Sequence, residues 1–221
     1  MPRFRDELWA VMEPVFKRIL GHPFVTGLTD GSLPMASFAY YVGQDSHYLR
    51  DYARALSLVA AKAPDEATVA MFAAHARGAV EVEKQLHAGF AAELADAHAA
   101  EFAQPASPTT LAYTSYLLRV CSQGDFPQAL AAVLPCYWIY AEVGAALLQQ
   151  GSPQPLFARW IDTYGGEEFG AIVAAVLDSV DQVGESVGPT QVAAMREHVL
   201  VTSKYEWMFW DAGLRRETWP L

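Results

Sequence analysis

The sequence has few cysteines and no cluster of basic residues. Its 221 residues include two cysteines, Cys121 and Cys136, and 15 Lys and Arg against 25 Asp and Glu, for a formal net charge of -10 at pH 7. Two cysteines without a Cys-x-x-Cys pair argue against a disulfide framework and a thiolate zinc site. Because nucleic-acid binding needs clustered Lys and Arg to contact phosphates, we expect no nucleic-acid partner.

Long apolar runs are also absent. Arg, Asp, Glu or Gln recurs in every apolar segment, so no uninterrupted stretch reaches the roughly 20 residues of a membrane helix. The first residues enter an amphipathic pattern and contain no signal-peptide core. We therefore expect no membrane partner and a cytoplasmic location.

The apolar residues that are present recur at i, i+3, i+4 and i+7, and alternation of period two is nowhere sustained. This pattern predicts an all-α fold. Pro and Gly clusters divide the chain into predicted helices at about 5–20, from 29–34 to 62, 65–102, from after 108 to 124, 125–150, 155–164, 167–186, and from 188–190 to 210 or 211. Without a repeat or linker, residues 1–221 predict one helical domain whose sites lie between facing helices.

Cys136 lies in a run of aromatic and apolar residues, Leu134-Pro-Cys-Tyr-Trp-Ile-Tyr-Ala-Glu142. A thiol there can be a nucleophile or a small apolar core residue, and this window leaves both open. Its own helix has no Lys, Arg or His to stabilise a thiolate, so any base comes from another helix. Asp45 and Glu206 are the candidates, although a nearby carboxylate raises the pKa of a thiol.

Four further positions have two interpretations each. Asp45 and Tyr48 are three residues apart and share a helix face, where Asp45 either faces solvent beside a core Tyr or serves a site. Glu206 lies in the aromatic run Tyr205-Glu-Trp-Met-Phe-Trp210 and is either at the rim of the core or functional. Tyr113 and Tyr164 either satisfy core hydrogen bonds or line a site.

Several well-known site patterns are missing. Bundle di-iron sites use a Glu-x-x-His pair on each of two helices, and the sequence contains no such pair. There is no Gly-x-Ser-x-Gly elbow and no glycine-rich phosphate loop. We therefore expect neither a metal nor another cofactor. The residues considered for a metal were His75, His87, His98, Glu81, Glu83 and Glu93.

Four separated segments carry a family resemblance: Tyr41-Val-Gly-Gln-Asp-Ser-His-Tyr-Leu-Arg-Asp-Tyr-Ala-Arg-Ala55, Pro135-Cys-Tyr-Trp-Ile-Tyr140, Tyr164-Gly-Gly166 and Tyr205-Glu-Trp-Met-Phe-Trp-Asp211. In their order and spacing they strongly resemble the TenA family, also called thiaminase II. The resemblance implies a heme-oxygenase-like helical bundle without heme, assembled as a homotetramer. It also implies an enzyme of thiamin salvage, which hydrolyses thiamin or 4-amino-5-aminomethyl-2-methylpyrimidine to the hydroxymethyl pyrimidine.

The resemblance also implies roles for individual residues. The family's nucleophile matches Cys136, which places the chain in the cysteine-bearing branch, its pyrimidine-binding aspartate matches Asp45, and its acid/base glutamate matches Glu206. The family's pocket aromatics match Tyr48, Tyr113, Tyr140 and Tyr164.

Two other hypotheses compete with this one. The first is a non-catalytic pyrimidine- or thiamin-binding protein, and the second is a bundle oxidase with iron or an organic cofactor.

Overall fold

The structure is a computed structural model that describes residues 3–220, without the side chains of residues 82–88, 91–92 and 95–96. Within the described residues the chain is all-α, as predicted, and has no strand. Residues 3–220 form nine helices: α1 (Phe4–Leu20), α2 (Pro23–Asp30), α3 (Met35–Lys62), α4 (Glu66–Phe102), α5 (Pro108–Gln123), α6 (Phe126–Leu148), α7 (Pro155–Gly165), α8 (Glu167–Gly184) and α9 (Pro189–Arg215).

Three helices begin at a polar side chain that caps the backbone. Asp65, Ser107 and Asp125 each accept a hydrogen bond from the backbone N–H three residues further on, at 2.9, 3.2 and 3.0 Å. Such caps satisfy N–H groups that have no partner inside the helix. They place the starts of α4, α5 and α6 close to where the sequence predicts them.

The sequence predicted only a break between helices after Gly21, and this prediction was wrong, because helix α2 lies there. His22 is buried and its Nδ1 accepts a hydrogen bond from the backbone N–H of Phe24 at 3.1 Å, so a histidine acts as the N-cap. Pro23 follows at the first helical position, where its fixed φ suits a helix and its missing N–H costs nothing. Gly31 ends the helix with φ of 78°, a conformation that glycine adopts without strain.

Helix α6 forms the centre of the bundle and packs against α9, α7 and α5, while α3 lies along α4. Among the described residues, α6 alone is long and apolar enough to cross a membrane, and 72% of its most apolar window is buried. The central helix of a folded bundle meets the same criteria of length and composition. The apolar character of α6 therefore agrees with its position in the core.

Two glycines allow α6 and α7 to meet backbone to backbone. A Cβ at Gly144 would lie 2.6 Å from the carbonyl oxygen of Tyr164 and 2.5 Å from the amide nitrogen of Gly165. A Cβ at Gly165 would lie 2.7 Å from the carbonyl oxygen of Gly144. Only residues without a side chain fit this contact. It holds the end of α7, including Tyr164, against α6.

Candidate active site

Five helices, α3, α4, α6, α7 and α8, surround a cavity of about 330 Å³. This volume lies in the range of small-molecule sites, and most of the wall is aromatic or aliphatic, as is usual for such sites. Five of the predicted site residues line it: Asp45, Tyr48, Cys136, Tyr140 and Tyr164.

Helical spacing explains how these side chains come to one cavity. Asp45, Tyr48 and Tyr52 lie on successive turns of one face of α3. Cys136 and Tyr140 do the same on α6. The contact between α6 and α7 then adds Tyr164, whose ring lies 5.0 Å from that of Tyr140.

Cys136 is half-buried and faces the cavity. Burial raises the pKa of its thiol well above the ordinary value, and the charge of Glu206 raises the pKa further. The nearby hydroxyls of Tyr48 and Tyr52 act in the opposite direction and lower the pKa of the thiol. Burial is the larger effect, so Cys136 is a thiol in the resting protein.

The hydroxyl of Tyr48 is buried at the cavity and has no hydrogen-bond partner of good geometry among the described residues. It nevertheless lies close enough to Cys136 to lower the pKa of that thiol. A buried hydroxyl without a partner is costly, so this group is available for a bound ligand.

Asp45 is only 6% exposed, which excludes the interpretation of a solvent-facing carboxylate. Its charge raises the pKa of Tyr41, Tyr140 and Tyr164, and Asp45 lines the same cavity as Tyr140 and Tyr164. The hydroxyls of Tyr41 and Tyr140 are hydrogen-bonded to each other at 2.9 Å. This end of the cavity therefore has one carboxylate among phenols.

Glu206 is 1% exposed, which excludes a position at the rim of the core. The hydroxyl of Tyr113 donates a hydrogen bond to its Oε1 at 2.5 Å. Burial raises the pKa of Glu206 to about 8, against the lowering effect of that hydrogen bond, and the charge of Asp45 adds to the rise. At pH 7 Glu206 therefore holds a proton most of the time.

Glu206 and Tyr113 lie behind the cavity wall and do not line it. The ring of Tyr113 is 5.0 Å from that of Tyr48, which does line the cavity, and it is stacked at 5.2 Å on Tyr205. The charge of Glu206 still raises the pKa of Cys136. Glu206 thus lies within electrostatic reach of the thiol, and its predicted acid/base role stays a prediction.

Several lining residues were not predicted as site residues, among them Tyr52, His75 and Tyr137. Tyr52 donates a hydrogen bond to the carbonyl oxygen of Val133 at 3.0 Å, and Tyr137 is hydrogen-bonded to Nδ1 of His75 at 3.1 Å. Tyr52 could have been found, because it follows Tyr48 by one turn. Tyr137 and His75 gave no such signal, since they are 62 positions apart in the sequence and meet only in the folded bundle.

The histidines of α4 were considered for a metal. Among the described side chains, no group of three or more His, Cys, Asp or Glu could hold a metal ion. His87 and Glu83 lie among the side chains outside the description. Burial lowers the pKa of His75, so this residue is neutral at pH 7.

The fold and the cavity define the class of protein: an α-helical bundle with a small-molecule site between its helices. Residues 9–216 match the model of the TENA/THI-4/PQQC family, and the chain belongs to this family. The resemblance seen in the sequence is thereby confirmed.

Curated relatives agree with this assignment. The chain is 41% identical over 217 residues to the aminopyrimidine aminohydrolase of Bacillus subtilis (strain 168), covering 98% of this chain and 92% of the relative. It is 34% identical over 219 residues to the protein of the same name from Halalkalibacterium halodurans, covering 98% and 97%. The shared name is that of an enzyme, and the prediction that the chain is an enzyme is confirmed.

Solved structures agree on the fold. A TenA homologue from P. horikoshii OT3 superposes with a TM-score of 0.85 at 29% identity, covering 97% of this chain and 99% of that one. A domain from Shewanella denitrificans OS217 described as having a heme oxygenase-like fold superposes with a TM-score of 0.74, at 16% identity over 96% and 92% of the two chains. The predicted heme-oxygenase-like fold is confirmed.

Proposed function

We propose that this enzyme hydrolyses 4-amino-2-methylpyrimidines in thiamin salvage. Its substrates are 4-amino-5-aminomethyl-2-methylpyrimidine, thiamin or both, and its product is the 5-hydroxymethyl pyrimidine. The observation that carries the proposal is that Cys136 and Asp45 face one aromatic cavity, while Glu206, with a pKa of about 8, is buried behind its wall. The names of the curated relatives support the same substrate class.

The end of the cavity around Asp45 suits an aminopyrimidine. A carboxylate accepts hydrogen bonds, so Asp45 holds the 4-amino group of the ring. Tyr48, Tyr140 and Tyr164 stack on the ring or bond its nitrogens and exclude bulk water. This arrangement fixes the ring relative to the sulfur of Cys136.

Cys136 then adds to the unsubstituted carbon of the ring. The S–C bond forms, the electrons of the ring C=N bond move to nitrogen, and that nitrogen takes the proton that the thiol loses. This coupled transfer is needed because the thiol is not ionised in the resting protein. The adduct is electron-rich and can expel the group on the methylene.

Glu206 supplies and recovers a proton in the remaining steps. As the methylene–nitrogen bond breaks, the proton of Glu206 reaches the leaving amine through Tyr113, which is hydrogen-bonded to Glu206, and Tyr48, which lines the cavity. The carboxylate formed then takes a proton from water by the same route. Hydroxide adds to the methylene. The ring electrons return, the S–C bond breaks, and the ring nitrogen gives its proton back to the sulfur of Cys136.

The test is turnover by wild type, Cys136→Ser and the control Cys121→Ser, followed by mass spectrometry of the hydroxymethyl product. Cys121 is fully buried and does not line the cavity, so its variant controls for loss of a thiol. We expect Cys136→Ser to bind the pyrimidine and lose nearly all turnover. More than about a tenth of the wild-type rate in Cys136→Ser contradicts covalent catalysis.

The same assay tests the alternative of a non-catalytic binding protein. Binding alone needs neither a thiol nor a buried acid, so binding of both substrates by wild type without turnover would favour that alternative. The faster of the two substrates identifies the physiological class.

We further propose that the enzyme is a cytoplasmic homotetramer without nucleic-acid or membrane partners. The support is the family resemblance for the tetramer and, against a nucleic-acid partner, the net charge of -10. Sedimentation velocity at micromolar concentration tests the assembly, and a stable monomer would contradict it.

A further inference from the structure

The cavity is longer than one pyrimidine ring. On α3 its lining residues run from Asp45 to Leu56, and eleven residues of helix span about 16 Å. Tyr52 is two turns from Asp45, about 10 Å along the helix. A ring held by Asp45 therefore leaves the part of the cavity around Tyr52 and Leu56 for the rest of the substrate.

This part, the distal half, is lined by Tyr52, Leu56, His75, Gly78 and Tyr137. The ring of Tyr137 lies 5.9 Å from that of Tyr52 and 5.6 Å from that of His75, which places His75 at this end. In the distal half, the polar side-chain groups of these lining residues are the hydroxyls of Tyr52 and Tyr137 and the imidazole of His75. A leaving group bound here meets His75.

The protonation states of His75 and Tyr137 fix what His75 can offer. Burial lowers the pKa of His75 and raises that of Tyr137 well above its ordinary value, so the imidazole is neutral and the phenol keeps its proton. A phenol is the stronger acid of the two, so Tyr137 donates to Nδ1 of His75 across the 3.1 Å contact. The imidazole proton is then on Nε2, for which the described residues provide no hydrogen-bond acceptor.

We propose that His75 binds the leaving group of the substrate, donating a hydrogen bond from Nε2–H, and that Tyr137 positions it by fixing its tautomer. The inference rests on the proposed function and names a substrate class within it. That class is pyrimidines whose 5-methylene carries an uncharged leaving group with a hydrogen-bond acceptor, such as an N-acylated amine.

The reaction of such a substrate follows the same chemistry. The bond between the methylene and the amide nitrogen breaks, and this nitrogen takes the proton of Glu206 as the amide leaves. Water supplies the hydroxyl group to the methylene and returns a proton to Glu206. No oxidant or further reactant is needed.

The experiment compares kcat/KM for the aminomethyl pyrimidine and its N-acetyl derivative in wild type, His75→Leu and His75→Gln. We expect His75→Leu to lower kcat/KM for the N-acetyl compound about tenfold more than for the amine, because a buried carbonyl loses its donor. His75→Gln keeps an N–H donor and recovers part of the loss. The matched control is His198→Leu, since His198 has the same kind of tyrosine partner, Tyr116 at 2.9 Å, outside the cavity.

Tyr137→Phe tests positioning separately. It keeps the ring and removes the hydroxyl, so we expect a higher KM for the N-acetyl compound with kcat largely retained. Binding of the N-acetyl compound to Cys136→Ser, measured by calorimetry with and without His75→Leu, gives the same comparison without turnover.

Three outcomes would overturn the inference: no turnover of the N-acetyl compound by wild type, equal losses on both substrates in His75→Leu, or equal losses in His75→Leu and His198→Leu. If wild type still hydrolyses the amine, the proposed function stands in each case. If wild type hydrolyses neither compound, the proposed function itself fails.

Discussion

Glu206 is the residue whose protonation has the clearest consequence for activity. Its pKa of about 8 means that the neutral acid, which protonates the leaving group in the proposed mechanism, is lost as the pH rises above that value. We expect kcat to be level near pH 7 and to fall about tenfold per pH unit above about 8. The measurement is kcat for hydroxymethyl pyrimidine formation between pH 6 and 10.

Glu206→Gln should lower kcat by about 10²-fold to 10⁴-fold and remove this alkaline decline. The control is Glu142→Gln, because Glu142 is exposed on α6 and outside the cavity. If Glu206→Gln keeps the decline, the titrating group is another one, such as the amine of the substrate.

The same carboxyl group links stability to pH. The unfolded chain ionises Glu206 near its ordinary value of 4.5, whereas the folded protein holds the proton up to about 8. The contribution of Glu206 to stability is thus fully present below pH 4.5 and is lost as the pH rises through 8. At pH 9 we expect the free energy of unfolding of Glu206→Gln to exceed that of wild type by up to about 5 kcal/mol. At pH 4.5 the two should differ little. Denaturant unfolding at both pH values measures this difference.

At the scale of helices, the glycine contact between α6 and α7 places Tyr164. Gly144→Ala should force the two helices apart, because the added Cβ would overlap the backbone of Tyr164. We expect a loss of about 1 to 3 kcal/mol in the free energy of unfolding. Displacement of Tyr164 should also lower kcat/KM at least tenfold.

Thermal unfolding and kinetics of Gly144→Ala and Gly170→Ala test this contact. Gly170 lies in α8, and a Cβ there would meet no atom within 4 Å. Gly170→Ala should therefore be neutral or stabilising, by up to about 1 kcal/mol, because alanine favours helix. Wild-type activity in Gly144→Ala would refute the positioning of Tyr164 by this contact.

Local signals in the sequence predicted most of the helices. Asp65, Ser107 and Asp125 cap helices close to where they were expected, because capping involves residues that are near in sequence. Helix α2 was missed because its cap is His22, a residue rarely used as a cap, and Gly21 and Pro23 indicated only a break. Helix α9 continues to Arg215, four or five residues past its predicted end at Trp210 or Asp211.

The site was predictable where its residues share a helix. Asp45 with Tyr48, and Cys136 with Tyr140, follow from helical spacing. The contact of Tyr113 with Glu206 joins residues 93 positions apart, and no periodicity predicts it. The residues alone indicated Glu206 only as a candidate base, and its acid/base role and the pocket role of Tyr113 were implied by the family resemblance.

For the molecule as a whole, the product should stabilise the fold. A ligand that binds only the folded state at one hundred times its Kd adds about 2.7 kcal/mol to the free energy of unfolding. For a chain of this size we expect a rise in Tm of about 5 to 10 °C with the hydroxymethyl pyrimidine. Differential scanning fluorimetry measures this rise.

The matched control ligand is the same pyrimidine without its 4-amino group. It cannot donate to Asp45, which lines the cavity, and should raise Tm less. Equal shifts with both ligands would contradict recognition of the amino group by Asp45.

The raised pKa of Cys136 also determines how fast this residue reacts with oxidants and electrophiles in a cell. Hydrogen peroxide and electrophilic drugs attack thiolates far faster than thiols. As the proposed nucleophile, Cys136 stays protonated until substrate arrives and is therefore spared during oxidative stress. For the same reason, a proteome-wide survey of cysteine reactivity will score Cys136 as inert, although the proposed mechanism depends on it.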